Sequence, residues 1–94
     1  MSAAPLDPAE LLSQLIRIPS VNPMGRPVSG LEFFEGRLTA FLSDLLKQWN
    51  IAHELHEVHA QRHNIVARCN ADDEAPTLLF EVHQDTVPVD GMAR

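Results

Sequence analysis

The sequence predicts an α/β chain, an incomplete mixed β-sheet of about three strands carrying two helices. Three patterns predict it. Apolar residues recur every three or four positions from Leu31 to Trp49, which is the spacing of one helix face. Two shorter runs, Ile51–His59 and Asn64–Cys69, alternate at the two-residue period of a strand. Thr77–Val87 opens apolar on both alternating faces, with Leu78, Phe80 and Val82 on one and Leu79 on the other. Such a segment suits a strand covered on both sides.

The first helix starts at Leu6-Asp7-Pro8-Ala9-Glu10-Leu11. Asp7 can accept bonds from unpaired amides, Pro8 needs no donor in the first turn, and Glu10 can reach back. Leu6 and Leu11 are spaced to clamp that end. Leu11, Leu12, Leu15 and Ile16 then form an apolar face for packing, and Pro19 stops the helix because the residue before proline avoids helical geometry.

From Pro19 to Pro27 the chain holds three prolines, Gly25 and the turn formers Ser20 and Asn22, and reads as a connector of largely fixed path. No catalytic role is expected there. Ser29 as cap and Glu32 three residues later predict the next helix start, with Val28 and Phe33 as a second clamp. The stripe Leu31, Phe34, Leu38, Phe41, Leu42, Leu45 and Trp49 is expected to pack on the sheet, leaving Glu35, Arg37, Asp44 and Lys47 off it.

The first strand run carries His53, His56 and His59, followed by His63. On a helix that spacing would gather imidazoles on one side, but on a strand His53 and His59 face one way and His56 the other. Surface imidazoles on an edge strand are therefore expected rather than a metal site. In the second run Ile65, Ala67 and Cys69 share a face, so the single cysteine reads as a small buried apolar residue, not a nucleophile. Asn70–Pro76 is a turn whose acids, Asp72, Asp73 and Glu74, form a solvated tip. Its shortness predicts that the strands on either side pair antiparallel.

The third run carries the chemistry. His83 and Asp85 are two apart, so at a strand end both project the same way, and Pro88 stops further pairing. Open α/β sheets place ligands at such carboxyl ends. Imidazole is a good zinc ligand, and a neighbouring carboxylate can take the hydrogen of its other ring nitrogen, fixing tautomer and orientation.

Composition limits the rest. A chain of 94 residues, 45% apolar and 21% charged, has room for one small globular domain. Its net charge of −6 argues against nucleic acid or an anionic membrane surface as partner. Neither end has an apolar run long enough to span a bilayer, and Met1–Glu10 lacks the basic start and apolar core of a signal peptide, so the cytoplasm is expected.

The run Leu78-Leu79-Phe80-Glu81-Val82-His83-Gln84-Asp85-Thr86-Val87-Pro88 resembles the first metal-site motif of the zinc-dependent amidohydrolases and metallopeptidases that include acetylornithine deacetylase, succinyl-diaminopimelate desuccinylase, aminoacylase and the carboxypeptidase G group. Ile18-Pro19-Ser20-Val21-Asn22-Pro23 is similar to that family's loop after its first helix, and Asn64-Ile65-Val66-Ala67 to the strand before the metal strand. Val82 stands where the family often has glycine, and Gln84 between the pair is polar.

The resemblance implies a site of two zinc ions, with cobalt as a substitute, in which the position matching His83 binds one ion and that matching Asp85 orients the histidine. The implied substrates are N-acyl amino acids or peptides. It also implies that residues 1–94 are the N-terminal portion of a zinc-aminopeptidase-like catalytic domain, truncated after its first metal-ligand motif and catalytically incomplete alone. The alternative is a non-enzymatic homo-oligomer, because three strands and two helices leave a sheet edge unpaired and Leu78, Phe80 and Val82 partly uncovered.

Overall fold

A computed structural model describes residues 7–28, 30, 32–60, 62–69 and 74–88. In chain order they form α1 (Pro8–Ile16), α2 (Gly36–Gln48), β1 (His53–His59) and β2 (Arg62–Ala67). The strands pair antiparallel in a two-stranded sheet, and α2 packs on β2. The chain is thus a small α/β unit with two strands among the described residues, where the sequence predicts about three.

Helix α1 begins as its residues dictate. Asp7 is extended, with φ −105°, and its Oδ1 accepts from the Ala9 and Glu10 amides at 3.0 and 3.4 Å. The proposed partner of Leu11 in the clamp, Leu6, lies outside the described residues. The packed face does not materialise: α1 has no buried residue, and Leu12 and Ile16 are exposed. Periodicity marks which side of a helix is apolar, but burial needs an opposing element, and on that side Leu11 and Leu15 are only half-buried.

Helix α2 starts later than the capping pattern suggests, at Gly36 with Glu35 as a cap that makes no side-chain bond. Ser29 lies outside the described residues. The preceding residues are engaged elsewhere: the Val21 amide donates to the Glu32 carbonyl at 2.8 Å and the Phe34 amide to the Val21 carbonyl at 2.9 Å. Phe34 sits at φ +70°, outside right-handed helical space. Along the stripe Leu38 is buried, while Phe41, Leu42, Leu45 and Trp49 are half-buried. The end is a Schellman motif, with the Ile51 amide on the Leu46 carbonyl at 2.9 Å, the Asn50 amide on the Lys47 carbonyl at 3.1 Å and Asn50 left-handed at φ +56°.

That reversal feeds β1. Its register with β2 matches His53 with Ala67, Leu55 with Ile65 and Glu57 with His63, then shifts between Glu57 and His59. The shift breaks the alternation that would put His59 on the side of His53. Strand β2 lies two residues earlier at each end than the pattern Asn64–Cys69, running Arg62–Ala67, and this leaves Cys69 exposed rather than buried. Of the acidic tip only Glu74 is described, and it is exposed.

The third strand is not formed. Residues 77–85 make no ladder, so the expected antiparallel pairing with β2 is absent, and Leu78, Leu79, Phe80 and Val82 are 77–87% exposed. A ribbon apolar on both faces is stabilised only when both are covered. What the segment has instead is a parallel bridge from Thr86 to Val21, which is bridged on its other side to Phe33.

Glu35, expected on the solvent side of α2, is buried. Its carboxylate takes the Arg62 Nε–H at 2.7 and 3.2 Å, and the Arg62 guanidinium lies 5.4 Å from the centre of the Phe34 ring. A charge-assisted bond in such a place contributes more than a solvated pair such as Glu54–His56. Glu35→Ala is expected to lower unfolding stability by about 2 kcal/mol and Glu54→Ala by less than about 1 kcal/mol, as read from urea melts followed by circular dichroism.

Candidate functional site

The site is assembled by backbone pairing. The Thr86 amide donates to the Ser20 carbonyl at 3.0 Å and the Asn22 amide to the Thr86 carbonyl at 2.8 Å. Residues 20–22 thereby run between 32–34 and 86, bringing the proline-rich connector against the motif that follows Val82. Ser20 is 2% exposed and its hydroxyl donates to the Gln84 carbonyl at 3.0 Å.

Gln84 faces inward. Its Oε1 accepts from the Thr39 hydroxyl at 2.8 Å and its Nε2 donates to the His63 carbonyl at 3.0 Å, tying the motif to α2 and β2. With Gln84 fixed, His83 and Asp85 are delivered to the same side, as their two-residue spacing predicts, although no ladder carries them. His83 Nδ1 is 2.9 Å from the Asp85 carbonyl oxygen and 3.1 Å from Asp85 Oδ1. Both oxygens only accept, so Nδ1 carries the hydrogen and a neutral ring keeps its lone pair on Nε2. The His83 side chain is 86% exposed, which leaves that lone pair facing solvent.

Asp85 is held from a second side. The Asn22 Nδ2 donates to Asp85 Oδ2 at 2.7 Å, and the Arg62 Nη2 stands 3.9 Å from the same oxygen. The amide orientation of Asn22 is fixed because its Oδ1 accepts the Met24 amide at 2.8 Å. That bond closes the turn in which Met24 and Gly25 are both left-handed, at φ 57° and 78°. The Asn22 bond is the largest influence holding the Asp85 carboxyl below its usual range; burial opposes it, and Asp85's own amide and His83 assist. Arg62 is pushed up by its bond to Glu35, against burial and with help from the charges of Glu35 and Asp85.

Three of the other four histidines are engaged away from this site. His53 Nδ1 meets the Ile51 carbonyl at 3.0 Å, so Nε2 accepts from the Ser43 hydroxyl at 2.8 Å. His56 pairs with Glu54 at 2.8 Å and His63 with Glu57 across the sheet at 3.7 Å. Among the described residues no group of three or more His, Cys, Asp or Glu side chains could hold a metal ion. No described helix is long and apolar enough to cross a membrane.

Three residues of this site escape the sequence patterns. Asn22 is legible as a turn former but its bond to a carboxylate 63 positions away is not. Arg62 stands in no motif, and Glu35 carries the wrong expected side.

Because the folded carboxyl of Asp85 titrates below its unfolded value, its contribution to stability is full above the unfolded value of about 4 and is lost as pH falls through the folded one. Thermal melts of the wild-type chain are expected to decline below about pH 4, and Asp85→Asn to flatten that decline while lowering stability at neutral pH.

No family model matches the chain, and neither a curated protein nor a solved structure matches it with significance.

Proposed function

We propose that this chain contributes the first metal-ligand motif of a zinc-dependent hydrolase acting on the amide bonds of N-acyl amino acids or peptides, with His83 as ligand and Asp85 as the carboxylate that orients it. The observation that carries this reading is the contact geometry: Nδ1 lies against the carbonyl and carboxylate oxygens of Asp85, and Nε2 is left open on an exposed ring. A metal-binding histidine needs that arrangement, with one nitrogen donating to a carboxylate or carbonyl and the other available to the ion. The order of segments, Ile18–Pro23, then Asn64–Ala67, then Leu78–Pro88, supports it through the resemblance described above.

The fit to zinc is one ligand deep. A catalytic zinc takes three protein ligands, and the described residues supply His83 alone, so on this reading the remaining ligands come from outside the described residues. Bound zinc would supply Lewis acidity, polarising a water and lowering its pKa toward neutrality. The part of this chain is to hold the open imidazole nitrogen in place. The cytoplasm is the proposed compartment.

Titration of the ¹⁵N-labelled chain with zinc or cobalt tests the proposal. Nε2 of His83 is expected to respond ahead of the other four histidines, with the weak affinity of a single imidazole. His83→Ala should abolish that response, and Asp85→Asn should weaken it about tenfold or more. Uptake at His53, His56, His59 or His63 instead of His83 would remove the reading.

A second reading, a homo-oligomer built without catalysis on the uncovered segment, is supported by the exposure of Leu78, Leu79, Phe80 and Val82. Size exclusion with light scattering separates the two. The oligomer reading expects a self-associated species that Phe80→Glu dissolves, and a dilute monomer rules it out.

A further inference from the structure

Asn22 serves two neighbours with the two ends of one amide. Its oxygen accepts the Met24 amide and its nitrogen donates to Asp85 Oδ2 at 2.7 Å. The first bond shapes the left-handed turn at Met24 and Gly25 and is available equally to Asp or Asn. The second needs a donor, which Asn has and Asp lacks. Using the turn to fix one end of the amide aims the other at the carboxylate.

The carboxylate then has few orientations left. With Oδ2 held by Asn22, and Arg62 approaching that oxygen at 3.9 Å, Oδ1 is left at 3.1 Å from His83 Nδ1, which shares its hydrogen with the Asp85 carbonyl at 2.9 Å. The His83–Asp85 pair lies within three residues, but the group that orients it arrives from the connector after α1, positioned by the pairing of residues 20–22 with Thr86.

We propose that Asn22 is a positioning residue for this pair: its side-chain amide holds Asp85 so that Oδ1 joins the Asp85 carbonyl in selecting the Nδ1–H tautomer of His83 and leaves Nε2 open to a ligand. The purpose of the selection rests on the metal-ligand reading; the selection itself is measurable without metal. Asn22→Asp separates the role from a structural one, since the new carboxylate still accepts the Met24 amide while presenting an acceptor to Asp85. Asn22→Ser is the second variant, able to close the turn through its hydroxyl but too short to span to Asp85.

Long-range ¹H–¹⁵N spectra of the full chain, recorded well above the usual imidazole pKa, report each ring's tautomer. The wild-type His83 is expected mainly as Nδ1–H, and the ratio of Nδ1–H to Nε2–H is expected to fall about threefold or more in both variants, the low end for one hydrogen bond because the Asp85 carbonyl still accepts. His53, which is fixed by Ile51 and Ser43, should keep its ratio and serves as the internal control. A His83 ratio within about twofold of wild type in either variant, with dispersed amide spectra, overturns the proposal, since a bond of ordinary strength would move it more. Loss of the bonds between residues 20–22 and Thr86 in both variants also overturns it, because the amide would then be structural. Zinc titration distinguishes the two readings. Asn22-dependent tautomer selection without zinc uptake at His83 removes the metal reading alone, and zinc uptake at His83 unchanged in Asn22→Asp removes the positioning role alone.

Discussion

The placement of Val21 between two strangers in sequence is the constraint on which the rest depends. Its own amide and carbonyl pair with Glu32 and Phe34, while those of its neighbours, Ser20 and Asn22, pair with Thr86. A backbone group buried without a partner is costly, so once Ser20 is enclosed these bonds are obligatory. They explain why α2 begins at Gly36, since the residues before it are already committed, and why His83 and Asp85 are held in place although the ribbon leading to them is unpaired.

Polar side chains extend the same junction into the body of the fold. Gln84 is bonded to Thr39 on α2 and to the His63 carbonyl on β2, and Arg62 links buried Glu35 to the neighbourhood of Asp85. With Leu38 as the buried apolar side chain of α2, hydrogen bonds carry much of the specificity here. Such networks hold a defined geometry only while each member is satisfied, and among the described residues no buried side-chain polar atom lacks a partner.

What could be read from residues was local. Asp7, Pro8 and Glu10 mark the first helix start, and the alternation from Ile51 to Ala67 gives both strands to within a few residues. His83 and Asp85 are found on one side because their spacing is short. Failures come where a local signal competes with a distant partner. The cap suggested by Ser29 and Glu32 yields to the pairing of Glu32 and Phe34 with Val21. The face assigned to Glu35 follows from helical period but its burial follows from Arg62, 27 positions on. Thr77–Val87 has the composition of a buried strand, yet composition cannot provide the strands or helices that would bury it.

The junction at Val21 also bears on the order of folding. The turn after α2 and the β1–β2 pairing close over short stretches, whereas the bond from Asn22 to Asp85 spans 63 positions. Closing so long a loop sacrifices chain entropy before any contact rewards it, so non-local pairings of this kind form slowly and late. Contact order thus favours the hairpin and the second helix as the earlier parts to form, with the imidazole–carboxylate corner shaped as Gln84 to Thr86 dock.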